Sequence, residues 1–232
     1  VSKERYRRRR LAALLSGVLL LVGLGFGARV LLYDAGLFDV ELVEVTGTVT
    51  VPQAEVLAAA AVQPGAPLAA VDTDAVATRV AALPAVESVS VGRSWPHTVT
   101  VAVAERVPVA TVSTSQGPAL VDRSGVVYRG APAPGLPRLT TTPRSGDPAT
   151  LAAVAVLSAL PDELRARVET AGAAVVAPGA PGQVTLGLAD GKEVRWGTPE
   201  RAGEKATALT ALLTQPGTVY DVTSPDLPTI RR

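Results

Sequence analysis

The chain has 232 residues, a formal net charge of +1, 47% hydrophobic residues and no cysteine. Without thiols, disulfides and cysteine metal sites are excluded, so an exported domain must stand on its apolar core. Residues 1–33 carry seven Lys/Arg against one Glu, or +6, which leaves −5 on everything after them. That acidic remainder lacks the basic face that nucleic-acid phosphates require.

The chain opens with a basic cluster (Lys3, Arg5, Arg7 to Arg10) and then an apolar run from Leu11 to Ala28. These 18 residues give about 27 Å of helix, and apolar sequence resumes after Arg29 at Val30, Leu31 and Leu32. The expectation is a cytoplasmic basic tail over 1–10 and a transmembrane helix over 11–32, with the positive-inside rule placing the rest outside. The competing reading is a cleaved signal, to which the arginine pair before Leu11 would lend a twin-arginine character. Signal cores usually run about 7 to 15 residues, and Gly25-Phe26-Gly27 is a poor substitute for an A-x-A site, so retention as an anchor is favoured. The chain contains no methionine, so either an unconventional start codon or a trimmed tail is expected.

Beyond the span, apolar and acidic residues alternate from Val40 to Val45 and stop at Thr46-Gly47, the period of a half-buried strand. Pro52 suits a first helical turn, and Gln53 to Val62 forms a helix with Val56, Leu57 and Ala60 on one face. Asp72 caps a second helix, whose Val76, Val80 and Leu83 share a face until Pro84 ends it. Val89, Val91 and Arg93 then lead to Trp95-Pro96, after which Val99, Val101 and Val103 keep period two; this is a hairpin. The order β-α-α-β-β leaves both helices to cover one face of a small sheet, the layout of a POTRA domain.

Further on, Ala119 to Asp122, a turn at Arg123-Ser124-Gly125, and Val126 to Tyr128 read as a second hairpin. Residues 129–148 read as loop, with a short strand at Leu136 to Thr140. Asp147-Pro148 launches a helix to Leu160, and Asp162 to Val168 adds a helical turn. Val184, Leu186 and Leu188 alternate up to Asp190-Gly191, with Val194 and Trp196 after it, a strong hairpin signal. Thr198-Pro199 starts a helix lined by Ala202, Ala206, Leu209 and Leu213, and Thr218 to Val222 returns as the final strand.

The stretch Val91-Gly92-Arg93-Ser94-Trp95-Pro96-His97-Thr98 through Glu105-Arg106-Val107-Pro108-Val109-Ala110 resembles the POTRA ending of the FtsQ/DivIB family of bacterial division proteins. Phe38-Asp39-Val40 and Val45-Thr46-Gly47 are similar to the family's opening strand. Asp190, Gly191, Gly197, Lys205 and Val219-Tyr220-Asp221-Val222 match its C-terminal β-domain. The resemblance implies an α+β fold: a short cytoplasmic tail, a single N-terminal transmembrane helix, a POTRA domain over 38–112, and a second α+β domain over 113–232 with a mostly antiparallel sheet.

Reactive chemistry is sparse. His97 is the only histidine, and it reads as an exposed turn residue; without a second histidine or a cysteine no usual zinc set can form. No G-x-S-x-G occurs and no serine has a lysine three places later. Asp72 with Asp74 reads as a cap and its dipole partner, Asp162 with Glu163 as a helix start, and Gly179 to Gly182 as a turn without the G-K-S/T of a phosphate loop. No catalytic, cofactor-binding or metal residue is therefore assigned, and no cofactor is expected. Trp95 is expected to pack at one end of the POTRA sheet and Trp196 in the core of the second domain.

What remains is recognition. A final strand over Thr218 to Thr223 can leave backbone donors and acceptors open to a partner strand, with Pro225 confining the pairing to residues before it. The resemblance implies FtsB-like and FtsL-like coiled-coil partners, contact with septal synthases, and a partner-binding role for Val219, Tyr220, Asp221, Val222 and Thr223. It also implies a cell-membrane protein enriched at the division septum that recruits and regulates peptidoglycan synthesis without catalysing a reaction. A POTRA-bearing component of an envelope transport assembly, or a cell-wall hydrolase, are the alternatives from other classes.

Overall fold

A computed structural model describes residues 2–131, 133–144 and 146–232, with side chains from residue 13 onward, so the side chains of the basic cluster lie outside the described residues. Helix α1 spans Ser2–Tyr33. Its apolar part, Ala13–Tyr33, has 21 residues, a mean hydropathy of 2.0 and no buried side chain. At 1.5 Å per residue this is about 32 Å, against about 30 Å of bilayer hydrocarbon. Among the described residues it is the one helix long and apolar enough to cross a membrane, which fits a single-pass membrane protein.

The chain divides into two compact units, Val1–Glu105 and Arg106–Arg232. The first contains β1 (Leu42–Thr46), α2 (Gln53–Ala60), α3 (Thr73–Ala81), β2 (Val86–Ser94) and β3 (Thr98–Glu105). Its sheet order is β1-β3-β2, with β1 parallel and β2 antiparallel to the central β3. This is the expected β-α-α-β-β arrangement. The Asp72 carboxylate accepts from the amides of Asp74 and Ala75, capping α3, and Val76 and Val80 of that helix are buried against Val99, Val101 and Val103 of β3. In α2, Val56 and Ala60 are buried while Leu57 is 38% exposed, so the apolar face is narrower than its alanine-rich sequence suggests.

Two residues close this unit. Gly47 has φ +82°, and a Cβ there would lie 2.0 Å from the Val103 carbonyl oxygen, so only glycine lets β1 turn away this close to β3. The Glu105 carboxylate, at the end of β3, accepts hydrogen bonds from the amides of Val49 (2.6 Å), Thr50 (2.9 Å) and Val51 (2.9 Å) and from the Thr50 hydroxyl. Partial burial pushes its pKa up, but the Thr50 hydroxyl and the Val51, Val49 and Thr50 amides outweigh that and hold it down at about 2.

The second unit contains β4 (Pro108–Thr114), β5 (Gly117–Asp122), β6 (Val127–Tyr128), β7 (Arg138–Leu139), α4 (Pro148–Ala159), α5 (Asp162–Arg165) and β8 (Val168–Ala174). Then follow β9 (Gln183–Leu188), β10 (Glu193–Gly197), α6 (Ala202–Leu212), β11 (Val219–Asp221) and β12 (Thr229–Arg231). One sheet of order β12-β11-β10-β9-β8-β7-β4-β5-β6 joins all the strands, and five of its eight pairings are antiparallel. Its core gathers Ala153, Val156 and Leu157 of α4 and Leu209 of α6 with Leu186, Val194, Trp196 and Tyr220 of the strands.

Several expectations change here. Strand β4 pairs with β5 and β7, so the stretch from Pro108 to Val112 belongs to the second sheet although its sequence continues the POTRA motif. Val168 starts β8 instead of ending a helical turn, because Thr170 and Ala171 pair with Arg138 and Leu139. Helix α6 starts after Arg201, which sits in the left-handed region at φ 55°, and not at Thr198-Pro199. Most consequential, Thr218–Val222 is not the last strand. After Pro225 the chain turns back, and β12 pairs antiparallel with β11, matching Val219 to Arg231, Tyr220 to Ile230 and Asp221 to Thr229.

Candidate functional site: the C-terminal sheet edge

Because β12 covers β11, the five residues Val219 to Thr223 do not form an open edge; the open edge at this end of the sheet is β12 itself. The sequence signal for β12 is weak: Thr229-Ile230-Arg231 offers one apolar residue, four places after Asp226 and two after Pro228, too short for period two to register. Its Arg231 carbonyl accepts from the Thr218 amide at 2.9 Å. Residues alternate in direction along an antiparallel strand, so with Arg231 turned inward the Ile230 amide and carbonyl face away from β11.

The side chains of the predicted residues divide by face. Tyr220 and Val222 are fully buried, Val219 and Asp221 are half-buried, and Thr223 is exposed. Tyr220 fixes the strand from below: its hydroxyl donates to the Gln215 carbonyl at 2.8 Å, with the Gly217 carbonyl at 3.2 Å, and the Lys192 ammonium lies 6.0 Å from its ring centre. Asp221 accepts from the Thr223 amide at 3.0 Å, which turns the chain out of β11.

The remaining motif residues build the platform under this edge. Asp190 and Gly191 form the β9–β10 turn, with Gly191 at φ +80° and the Asp190 carboxylate 2.8 Å from the Lys192 ammonium, whose hydrogen bond lowers the Asp190 pKa. Gly197 ends β10 at φ +76°, where a Cβ would lie 2.8 Å from Thr223 Cγ2; the close approach of the chain after β11 requires glycine. Lys205 is 2% exposed, and its ammonium donates to the Thr198 carbonyl at 2.8 Å, tying α6 to the end of β10. Burial lowers its pKa, against the opposing charge of Glu200. Strand β10, helix α6 and strand β11 thus form a parallel crossover.

A second device holds the loop that brings β12 back. The Arg201 guanidinium donates to both oxygens of Asp226 at 2.7 and 2.8 Å and also pairs with Glu204. Hydrogen bonding to Arg201 lowers the pKa of Asp226 and of Glu204. The left-handed backbone of Arg201 turns its side chain from the start of α6 toward the β11–β12 loop. Gly217, before β11, lies close beneath β12: a Cβ there would be 2.3 Å from Ile230 Cγ2 and 3.3 Å from the Arg231 carbonyl.

The residues considered for chemistry fall into structural roles. Asp72 caps α3 and Asp74 lies in its first turn; Asp162 pairs with Arg165 at 3.0 Å. His97 is half-buried, with Nδ1 3.1 Å from the Asp39 carbonyl. Among the described residues no three His, Asp or Glu side chains gather closely enough to hold a metal ion. A cleft of about 390 Å³ beside β5, between Pro118, Leu120, Gly130 and Pro134, is lined by apolar and small residues with no titratable group.

Residues 38–106 match the family model of the FtsQ-type POTRA domain, and residues 110–227 match that of the C-terminal region of cell division protein FtsQ/DivIB. The chain belongs to the FtsQ/DivIB family of cell division proteins. It is similar to a cell division protein FtsQ of Mycolicibacterium smegmatis, 48% identical over 222 residues that cover 95% of this chain and 63% of that protein. It is also 44% identical to an FtsQ of Mycobacterium bovis, over 96% of this chain and 70% of that one. A third FtsQ, from Streptomyces bingchenggensis, is 38% identical over 96% of this chain and 86% of its own length. The chain therefore spans somewhat under two thirds of the M. smegmatis relative and most of the Streptomyces one.

Proposed function

We propose that this FtsQ-family chain is a non-enzymatic scaffold of the division machinery, which recruits and regulates septal peptidoglycan synthesis through contacts with FtsB-like and FtsL-like coiled-coil proteins. Its N-terminus is cytoplasmic, and the POTRA sheet and helices of the first unit and the whole of the second lie outside, enriched at the division septum. The basic cluster before the span supports this orientation. The observation that carries the reading is the open edge of β12, where outward-facing backbone groups at Ile230 can take up one more strand.

In this reading the partner strand lies along Thr229 to Arg231, beyond the Pro225 at which sequence reasoning stopped it. Val219, Tyr220, Asp221, Val222 and Thr223 act as the strand on which that edge is seated, with Thr223 and the half-buried Val219 and Asp221 within reach of a partner. Confinement of both proteins to one bilayer raises their effective concentration, so a short strand contact suffices. A photo-crosslinking scan in living cells from Gln215 to Arg231 tests this. Adducts with a short coiled-coil membrane protein peaking at 229–231 are expected; adducts with secretion components, or none along the scan while the rest of the chain crosslinks, would refute it.

A further inference from the structure

The chain has few aromatic residues, two Trp, four Tyr and two Phe, and their placement is uneven. In the second unit Tyr128, Trp196 and Tyr220 are all buried. At the outer end of α1 and just beyond it, Tyr33 is 40% and Trp95 50% exposed. Trp95 lies in the β2–β3 turn, far along the sequence, yet its ring stands edge-on to Phe38 at 5.5 Å between centroids and 79° between planes. Leu37, next to Phe38, is 56% exposed. An exposed tryptophan, the largest side chain available, is not accounted for by the core of its own unit.

The backbone fixes this cluster close to the bilayer. Asp34 and Ala35 both donate to the Val30 carbonyl, ending α1, and Gly36 reverses the chain at φ +67°. From Tyr33 to Phe38 is five Cα steps, about 18 Å even if fully extended, and the turn makes it shorter. Beyond Leu37 the chain has no slack. The Leu68 amide donates to the Phe38 carbonyl at 2.8 Å, Asp39 bridges to Pro67, and the Glu41 amide donates to the His97 carbonyl at 2.9 Å. His97 Nδ1 lies 3.1 Å from the Asp39 carbonyl, so the hairpin tip is bound to the segment leaving the span. With Ala13–Tyr33 matching the hydrocarbon thickness, Tyr33 falls at its boundary and the cluster falls in the headgroup layer just outside it.

We propose that the β2–β3 hairpin tip, Trp95 with Phe38 and Leu37 beside it, seats in the phospholipid headgroup layer of the leaflet from which α1 emerges, as a second membrane contact of the POTRA unit. The inference rests on α1 spanning the bilayer and is independent of what binds at β12. Indole rings favour this layer because the ring is apolar and its N–H finds headgroup or water acceptors. The neighbouring charged groups are of both signs: Asp34, Asp39 and Glu41 stand against Arg29, whose guanidinium lies 5.7 Å from the Tyr33 ring centre, and Arg93, which donates to the Leu68 and Val71 carbonyls. No basic patch is built here, so the attraction is apolar and aromatic, without a requirement for anionic lipid. The interfacial tryptophan adds to the span, and to the packing of α1 beside Leu68–Ala70, in fixing how the POTRA unit is tilted toward the membrane.

The full chain reconstituted in phosphatidylcholine vesicles tests this through Trp95 fluorescence, taken as the difference between the parent and Trp95→Phe. Trp196, fully buried in the second unit, is common to both and cancels. With lipids brominated near the glycerol, the Trp95 component should lose about half its intensity or more, with less loss for bromines deep in the chains, as befits an interfacial ring. Salt should leave the loss unchanged, and far-UV circular dichroism of Trp95→Phe should match the parent. An unquenched Trp95 overturns the proposal in either form: reached by aqueous iodide, it lies in water; shielded from iodide, it is covered by protein, such as a second copy. Crosslinking at β12 is read separately, so failure here leaves the strand-addition reading standing.

Discussion

Replacing Gly217 with alanine is the sharpest test of the β12 edge, because it moves that strand without touching any side chain on its outer side. The new Cβ would lie 2.3 Å from Ile230 Cγ2, more than 1 Å inside normal contact, and 3.3 Å from the Arg231 carbonyl. The backbone of Gly217 is not left-handed, so alanine itself is unstrained; the Tyr220 ring lies at ordinary contact distance, 3.4 Å, and the clash is with β12. Overpacking of this kind costs about 1–3 kcal/mol. A three-residue edge strand gives way before the sheet core does. The cost should then appear as a displaced β12 and as weaker capture of the partner strand, by about 5- to 150-fold at 1.4 kcal/mol per tenfold. Two measurements on the same sample check it: hydrogen exchange at residues 229–231, and the affinity for an FtsB-like partner in detergent. Gly130→Ala is the control at the other end of the sheet, where a Cβ would meet Leu120 and Tyr128 at 3.1 and 3.2 Å. Fast exchange at 229–231 with unchanged partner affinity in Gly217→Ala would refute strand addition at β12.

Three further predictions concern the supports of each unit. Glu105→Gln should destabilise the loop at Val49–Val51: a carboxylate held at about 2 instead of 4.5 represents about 3 kcal/mol at full strength, which solvent screening at this surface site reduces to about 1–2 kcal/mol. Since the folded pKa is the lower one, the contribution is complete above pH 4.5 and fades as pH falls toward 2; exchange of the Val49, Thr50 and Val51 amides should converge between parent and variant across that window, and a pH-independent gap would contradict it. Gly47→Ala should lower the stability of the POTRA unit by more than about 1 kcal/mol, from the positive φ alone and then from the clash with the Val103 carbonyl; an unchanged melting temperature would count against it. Asp226→Asn should loosen the loop from Ser224 to Leu227 and weaken partner capture modestly, with the parent's advantage shrinking at high salt because the Arg201 pair is exposed; a salt-independent difference would argue for a packing effect.

The fold was legible where one residue type leaves a single local solution. Asp72 before an apolar-periodic run and the strict alternation of Val99, Val101 and Val103 led to the observed cap and central strand. Asp147-Pro148 likewise starts α4 where expected, and Asp190-Gly191 forms the β9–β10 turn. Elements that exist only through distant pairing were not legible. Strand β12 has three residues, and β8 carries Glu169, Thr170 and Gly172 among its apolar residues; each is a strand because of its neighbours, whereas the two-residue β7 falls inside the short strand expected at Leu136 to Thr140. Arg201 was equally hidden, since a left-handed arginine at a helix start contradicts its propensity and is held by Asp226, 25 residues away.

The placement of the candidate edge follows from the same distinction. A parallel pairing of β10 with β11 requires a crossover, and α6 supplies it, so β11 arrives beside β10 with its outer side still unpaired. An apolar strand so exposed would invite indiscriminate pairing, and Tyr220 and Val222 are too apolar to be left there. The chain resolves this by returning once more, after Pro225, with a short strand whose Thr229 and Arg231 side chains are exposed and polar. The edge that results is brief, charged and clamped at one end by Arg201. Such an edge pairs poorly with arbitrary strands, so a partner must bring further contacts of its own; a coiled-coil protein held in the same membrane does so by confinement, whereas a free peptide of the same strand sequence should bind far more weakly.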